Sequence, residues 1–518
     1  MEPAPLRTAP VVREKGCLRR PIHKHAAEPL GRQHSTGSSR SKNNLPAAQV
    51  IIFVNRTSGG GRAGEYLKAL GDGTHKIRLS KTSGKFAQVR AFDLRDGESG
   101  RKSGFLLLKE LSQEVENPVR VMVAGGDGTV MWAISEMETT GVNLEKVVVG
   151  HIPFGTGNDF SRSTGWGPAV GPGDLIGHRW QHLKRDLKQW IAADAVAFDV
   201  WEVEVTSGAG FAFVHGGHRC ITEQDKVQHG LEELADGRWR MKKRMVNYFS
   251  LGQCCRAGLG FEKRRTSSRL GNNMRYGYEG LKKLFLQPAP MVSDVVNELS
   301  VSGSSSSLAS LASTATPDDL FDDDVTRQPS DASDDSEGSL TTTSSAALRA
   351  PAATQQQGAE GVLSRSYSVN LDQGLPSAEL LFLNVPSFAG GANPWAWSSC
   401  EGQFNEDLSC SQDVGDGRLE VVSYSSGLGA AIDAANGKLR TPGRGAGQRV
   451  ASAEGPFRMS FKSPAKAKYT STDGRVYLQV DGEFFVAHQP EEVNVRHWRT
   501  VKVARRDKDI TQFGCFGL

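Results

Sequence analysis

The most constraining feature of this chain is Gly125-Gly126-Asp127-Gly128-Thr129, set between Val119-Arg-Val-Met-Val-Ala124 and a helix-forming stretch from Thr129 to Met137. A short, nearly continuous run of Val, Met and Ala reads as a buried strand. Glycines where such a strand turns into a helix let backbone N–H groups close around an anion, and the helix adds the positive end of its dipole. The loop is suited to phosphate. Asp127 places a carboxylate where it can handle a divalent cation, and Thr129 adds a hydroxyl donor. For this loop alone, a tight turn without a ligand is the alternative.

The same unit recurs on either side. Val50-Ile-Ile-Phe-Val54 leads through Asn55-Arg-Thr-Ser58-Gly59-Gly60-Gly61 into a helical stretch from 63 to 70. Val147-Val-Val-Gly-His-Ile152 leads through Pro153-Phe-Gly155-Thr156-Gly157-Asn158 into Asp159 to Ser163. A weaker strand at 89–94 and helices at 105–115 and 174–191 complete an alternation of β and α. Strands this uniformly apolar are covered on both faces, which predicts a doubly wound parallel α/β nucleotide domain over 49–194. Ligand loops at the carboxyl ends of neighbouring parallel strands mark the usual binding crevice.

From about residue 195 the pattern becomes β-like, with runs at 196–205, 211–214, 246–251, 378–385, 418–424, 457–461 and 475–480. These predict a second, β-rich domain, antiparallel and sandwich-like, over 195–500, followed by a tail at 501–518. Residues 1–48 hold nine Lys/Arg against three Glu and no hydrophobic period, so they read as a disordered basic tail, leaning on anionic lipid or simply solvated. A Ser/Asp-rich insertion at about 290–372, with nine acids against one arginine over Asp318 to Glu337, cannot bury enough apolar surface to fold alone. The net charge of +4, from 62 Lys+Arg and 58 Asp+Glu, therefore averages unlike segments and argues against a nucleic-acid binder. No apolar stretch approaches the roughly 20 residues of a spanning helix, and no secretory h-region opens the sequence. Seven cysteines that never form CxxC point to a reducing, cytoplasmic setting.

Taken together, Asn55 with Ser58-Gly59-Gly60, the loop at 125–129 and Ile152-Pro-Phe-Gly-Thr-Gly-Asn-Asp-Phe-Ser-Arg-Ser163 resemble the catalytic domain of diacylglycerol kinases. Asn247-Tyr-Phe-Ser-Leu-Gly252, Leu383-Asn-Val-Pro-Ser-Phe-Ala-Gly-Gly391 with Asn393-Pro-Trp395, and Gln479-Val-Asp-Gly-Glu483 resemble the accessory domain of the eukaryotic enzymes. The resemblance covers about 48–290 and 375–500. It implies transfer of the γ-phosphate of ATP, with Mg²⁺, to the free hydroxyl of diacylglycerol, giving phosphatidic acid. Asn55, Ser58, Gly59, Gly60, Gly125, Gly126, Gly128, Thr129, Gly155, Thr156, Gly157 and Asn158 are then the expected nucleotide-binding residues. Asp127, Asp159 and Glu483 are the expected metal contacts.

The resemblance also assigns Asp481 as the catalytic base, with Glu483 as its metal or orienting partner and Asp127 completing the catalytic set. Side chains two apart on a strand share a face, so an extended segment would set Asp481 and Glu483 together. An Asp-Gly hairpin turn is the alternative. The family continues Asn-Tyr-Phe-Ser-x-Gly with an apolar residue, Asp and Ala, whereas this chain has Gln253-Cys254-Cys255 and lacks that carboxylate. Arg238, Trp239, Arg240, Lys242, Lys243 and Arg244 form a basic, partly apolar run that either meets an anionic membrane surface or is merely solvated. Arg496 to Lys508 is a second basic stretch of this kind. The expected protein is cytoplasmic and peripherally membrane-associated. A sphingosine, ceramide or NAD kinase, and a catalytically dead lipid-binding scaffold, remain alternatives.

Overall fold

In β1 (Ala48–Val54) the side chains of Val50, Ile52 and Val54 turn to one face and those of Ile51 and Phe53 to the other, and all five are buried. Both faces must therefore be covered, and both are. The computed structural model describes residues 48–79, 85–95, 102–114, 117–213, 226, 229–262, 291–303, 365–369, 377–399, 411–436, 444–463, 465–466 and 474–506. The expected basic tail, 1–47, lies outside them.

β2 (His75–Arg78) runs antiparallel to β3 (Phe86–Asp93), which lies parallel to β1. On its other side β1 pairs in parallel with β4 (Val119–Gly125), and β4 with β5 (Val147–Pro153). Helices α1 (Glu65–Leu70) and α5 (Gln181–Ala192) cover one face, with Tyr66, Leu70, Leu183, Leu187 and Trp190 against Val50, Ile52 and Met122. Helices α2 (Ser103–Glu114) and α3 (Asp127–Thr140) cover the other, with Phe105, Leu108, Val130 and Ile134 against Ile51, Phe53, Val121 and Val123. The Phe53 and Phe105 rings stack at 4.1 Å. The chain leaves β1 towards β3 on one side and β4 towards β5 on the other. Such a reversal opens a crevice at the carboxyl ends of the strands.

The expected helix over 174–191 begins only at Gln181, because Arg179 and Trp180 adopt φ of 47° and 65° and break the helical path. Short α4 (Asp159–Ser163) follows the third glycine loop.

The second region contains β6 (Asp194–Ser207), β7 (Phe211–Phe213), β8 (Leu231–Glu233), β9 (Trp239–Met245), β10 (Tyr248–Gly252) and helix α6 (Gln253–Glu262). There follow β11 (Val296–Gly303), β12 (Arg365–Val369), β13 (Glu379–Leu383), β14 (Leu419–Tyr424), helix α7 (Gly427–Asn436) and β15 (Gly447–Ala453). The last strands are β16 (Phe457–Phe461), β17 (Arg475–Val480), β18 (Glu483–His488) and β19 (Pro490–Arg505). Seven strands in the order β15-β14-β13-β10-β17-β18-β7 make an antiparallel sheet. Its inner face, with Phe249, Phe382, Leu478 and Phe485, packs on Trp201, Val203, Phe457 and Val495 of the other layer. This is an α/β unit followed by a β-rich sandwich.

Two boundaries differ from expectation. The tail expected at 501–518 begins inside β19, a 16-residue strand that pairs along its length with β6 and reaches β5 at Val503 opposite Val149. One twelve-stranded sheet thus runs from the sandwich into the parallel domain. Secondly, a helical turn at Val292–Val295 and strands β11 and β12 lie within the insertion expected at 290–372. Val296, Leu299 and Val301 enter the core against β16, an apolar alternation hidden by the serines around it. Residues 304–364 of that insertion lie outside the described residues.

Candidate active site

Three loops meet at the carboxyl edge. After β1, the Asn55 amide donates to the Ala124 carbonyl at 2.9 Å, tying this loop to the end of β4. The Asn55 side-chain oxygen accepts from the Thr57 hydroxyl at 2.9 Å, so it shapes the loop. Gly59, Gly60 and Gly61 follow at φ of 61°, 67° and 90°, a left-handed sequence unfavourable to other residues. A Cβ on Gly59 would strike Phe154 at 2.6 Å, whereas Gly60 and Gly61 face open space. Ser58 is half-buried beside them.

In the second loop Gly126 is the N-cap of α3, and the Thr129 hydroxyl oxygen accepts its N–H at 3.3 Å. Thr129 therefore closes the turn, with its hydroxyl proton left to donate elsewhere, while Gly128 is exposed. Gly126 and Gly155 of the third loop touch so closely that a Cβ on Gly155 would stand 2.8 Å from the Gly126 Cα. Thr156 and Gly157 are half-buried at that loop's tip. Asn158 requires a correction. It is 0% exposed, its amide donates to the carbonyls of Gly155 and Pro168 at 2.8 Å each, and its oxygen takes the Gly155 N–H at 2.9 Å. It builds the loop, and both of its side-chain N–H donors are engaged there rather than turned to a phosphate.

Sequence reasoning passed over His151. It lies buried in β5 with Nε2 3.0 Å from the Gly125 carbonyl, and burial lowers it to about 4. A carbonyl only accepts, so neutral His151 carries its proton on Nε2 and pins the second glycine loop from beneath. A histidine inside the apolar run 147–152 was the available signal.

Four carboxylates were expected here, and the structure separates them. Asp127, half-buried, accepts from the amides of Asp159 at 3.1 Å and Phe160 at 3.0 Å and from the Asn247 side chain. Burial raises it against these donors. Asp159 is 1% exposed. Its oxygens take the Ser387 hydroxyl at 2.5 Å, the Gly390 amide at 3.0 and 3.2 Å and the Tyr248 hydroxyl at 3.1 Å. Burial first, and then the charge of Asp127, raise it to about 6.

Asp481 and Gly482 have φ of 49° and 81° and form the two-residue turn joining β17 to β18, with Val480 opposite Glu483. This is the Asp-Gly hairpin rather than an extended segment, so Asp481 and Glu483 do not share a face. The Asp481 carboxylate instead accepts from the amides of Val246, Asn247 and Tyr248 at 2.8, 2.8 and 3.0 Å. Burial raises it to about 7, against those three donors and with the charge of Asp127 adding to the rise. Glu483 turns away to Lys243 and His229 at 2.8 and 2.7 Å. Although burial works the other way, these cationic and hydrogen-bonding partners hold it down at about 2.

Residues 49–186 match the family model described as the diacylglycerol kinase catalytic domain, and residues 343–484 match the diacylglycerol kinase accessory domain. The chain belongs to the diacylglycerol kinase family. Diacylglycerol kinase 1 of Oryza sativa subsp. japonica is 24% identical over 492 residues, covering 89% of this chain and 80% of that protein. The eye-specific diacylglycerol kinase of Drosophila melanogaster is 29% identical over 245 residues, 46% of this chain and 14% of its own length. Diacylglycerol kinase 3 of Arabidopsis thaliana is 29% identical over 237 residues, 43% and 45% of the two chains. The last two matches thus span less than half of those relatives.

For a diacylglycerol kinase, the departure at Gln253-Cys254-Cys255 sits at the far end of β10 from Asn247. A carboxyl group is present there all the same, because Glu379 of β13 takes the Cys254 amide at 2.7 Å. The missing acid is therefore remote from the glycine loops.

The basic run expected at a membrane surface is charge-paired in the fold. Arg238 to Arg244 lie on and beside β9, and each cation has an acidic partner. Arg238 pairs with Asp236 and Glu491, Arg240 with Glu232, Lys242 with Glu204, Lys243 with Glu483 and Arg244 with Glu202. Trp239 packs, partly buried, against the core. Arg496, Arg499 and Lys502 likewise pair with Glu202, Glu138 and Glu145. Adjacent opposite charges cancel beyond a Debye length of about 10 Å, so this run presents little net field to an anionic bilayer. The double substitution Arg240→Gln, Lys242→Gln is expected to leave sedimentation with anionic vesicles unchanged. A marked loss of binding would restore the patch.

Proposed function

We propose that this family member is an ATP-dependent diacylglycerol kinase that makes phosphatidic acid. One observation supports this most: Asp481, carried by the accessory hairpin, lies within electrostatic reach of Asp127 at the glycine-loop crevice. A phosphate cradle and a carboxylate tuned near neutrality are the two halves a phosphotransferase has to bring together.

In this reading the amides of Gly60, Gly128 and Gly157 hold the nucleotide phosphates, and the N-terminus of α3 draws their charge. Asp481 accepts the proton of the acceptor hydroxyl. Its three amide partners fix the carboxylate in place. Mg²⁺ suits the donors near Asp127, since it binds through one or two carboxylates with phosphate and water completing its shell. The buried Asn247 Oδ1 has no hydrogen-bond partner and adds a hard oxygen beside Asp127. When bound, the ion would neutralise charge on the phosphates. Asp159 does not fit as a ligand, because its carboxylate is enclosed at 1% exposure by the accessory loop, and Glu483 does not, because it turns away to the Lys243–His229 pair. The acceptor resides in a bilayer, so the enzyme would work at a membrane surface. Among the described residues no helix is long and apolar enough to cross one.

The test uses the purified full chain with labelled ATP, Mg²⁺ and mixed micelles of diacylglycerol, sphingosine or ceramide. Label is expected on diacylglycerol, with at least a hundredfold loss in Asp127→Ala. Transfer to sphingosine alone would change the acceptor, and transfer to no lipid would favour a scaffold.

A further inference from the structure

Two accessory-domain side chains, Tyr248 and Ser387, have no part in the transfer chemistry above, yet both end on Asp159. Tyr248 is 6% exposed and Ser387 3%. Their hydroxyls donate to the two oxygens of Asp159, and the Gly390 amide reaches both. The Asp159 backbone N–H, in turn, donates to Asp127 at 3.1 Å. Tyr248 reaches the other way too, since its own N–H donates to Asp481 at 3.0 Å. One residue thus spans the interval from the accessory hairpin to the third glycine loop. Phe388 packs against Tyr248 with the rings tilted at 59° and their centroids 4.8 Å apart, which stiffens that span. On the nucleotide side Arg162 Nε donates to the Gly157 carbonyl at 3.0 Å, and the Gly390 backbone lies against Gly157.

We infer that Tyr248 and Ser387 are positioning residues that act through Asp159, setting the distance between the Asp481 carboxylate and the phosphate-binding loop. Asp159 is the acceptor of this clamp and touches neither nucleotide nor acceptor lipid. The hydrogen bonds to its carboxylate are donated by Tyr248, Ser387 and Gly390, and its backbone N–H passes its position to Asp127. Phosphoryl transfer depends steeply on such placement, with about 1 Å of misalignment costing on the order of a hundredfold. The inference rests on the kinase reading for its catalytic consequence, but the clamp itself can be tested without it.

Asparagine separates the possibilities at Asp159. Its oxygen can accept from Ser387 and Gly390 and its amide can donate to the Tyr248 oxygen, so it preserves a clamp while removing charge. The experiment compares Tyr248→Phe, Ser387→Ala, their double variant, Asp159→Asn and Asp159→Ala in the full chain. Amide exchange across residues 157–160 is expected to quicken about tenfold in the double variant and to stay at the wild-type rate in Asp159→Asn. In the lipid assay, kcat is expected to fall about tenfold in each single hydroxyl variant and about a hundredfold in the double, with KM for ATP within about twofold. Asp159→Asn is expected to keep kcat within about fivefold. Unchanged exchange in the double variant would overturn the clamp whether or not any lipid is phosphorylated. Loss of activity in Asp159→Asn equal to that in Asp159→Ala, with both hydroxyl variants at wild-type kcat, would overturn the positioning role. If Asp159→Ala does not fold, the two hydroxyl variants and Asp159→Asn still decide both points.

Discussion

Asp481→Asn is expected to lower kcat about a thousandfold while leaving the protein folded, in line with the loss typical of a general base. The asparagine oxygen can still accept from the amides of Asn247 and Tyr248, which both meet one oxygen of the native carboxylate. Only the bond from Val246 is lost, so unfolding should move by a few degrees. The pH profile gives a sharper signature. A base held at about 7 is protonated, and idle, below that value. Wild-type kcat/KM should therefore climb about tenfold per pH unit up to about 7 and then level off. The variant's residual rate should lack that limb. Near wild-type turnover in Asp481→Asn would leave Asp481 as a structural latch for residues 246–248, and proton acceptance would have to be sought elsewhere.

Glu379→Gln should have a comparably large effect on stability. Glu379 is fully buried, and burial raises it from 4.5 to about 8 despite donors from Cys254, Ser250, Cys255 and Gln253. Below 4.5 both the folded and unfolded chains hold this proton, and the stability linked to it is complete. As pH rises the unfolded chain releases the proton while the folded one keeps it, so stability drains away until about 8. The full loss is as much as about 5 kcal/mol. Glutamine stays neutral throughout and retains an acceptor for the Cys254 amide. Thermal unfolding of the two proteins should coincide near pH 4.5, with the variant higher by at least about 5 °C at pH 8. A constant difference across that range would show that Glu379 does not carry the pH dependence.

What could be read from sequence followed chain-local signals. The apolar strands of the parallel domain and the glycine loops after 54, 124 and 153 announce themselves because period, length and loop chemistry all sit within one βα unit. The roles of single side chains were less legible. Asp481 and Glu483 look alike two residues apart, but the left-handed turn sends one to the amides of Val246, Asn247 and Tyr248 and the other to Lys243 of β9. Arg238 to Arg244 read as an unbalanced cationic run because their partners, Glu202, Glu204, Glu232, Glu483 and Glu491, are scattered along the chain. Asn158 sits in a ligand motif and still faces inward. For the charged residues the deciding contact lies across strands, where one-dimensional spacing carries no information, whereas for Asn158 it lies within its own loop at Gly155 and Pro168.

β19 has a consequence for how the protein is made. The chain completes β5 at Pro153, but β19, which borders it, begins only at Pro490. During synthesis the α/β half therefore emerges from the ribosome with an unpaired, apolar strand edge and must wait for nearly the whole accessory region before that edge is covered. Contacts this distant, such as Lys502 with Glu145 across 357 residues, close slowly and late. An open edge held for that long is prone to pairing with other chains. A fragment ending at residue 194 would keep that edge permanently, so the α/β half is better regarded as a late product of folding than as an autonomous module.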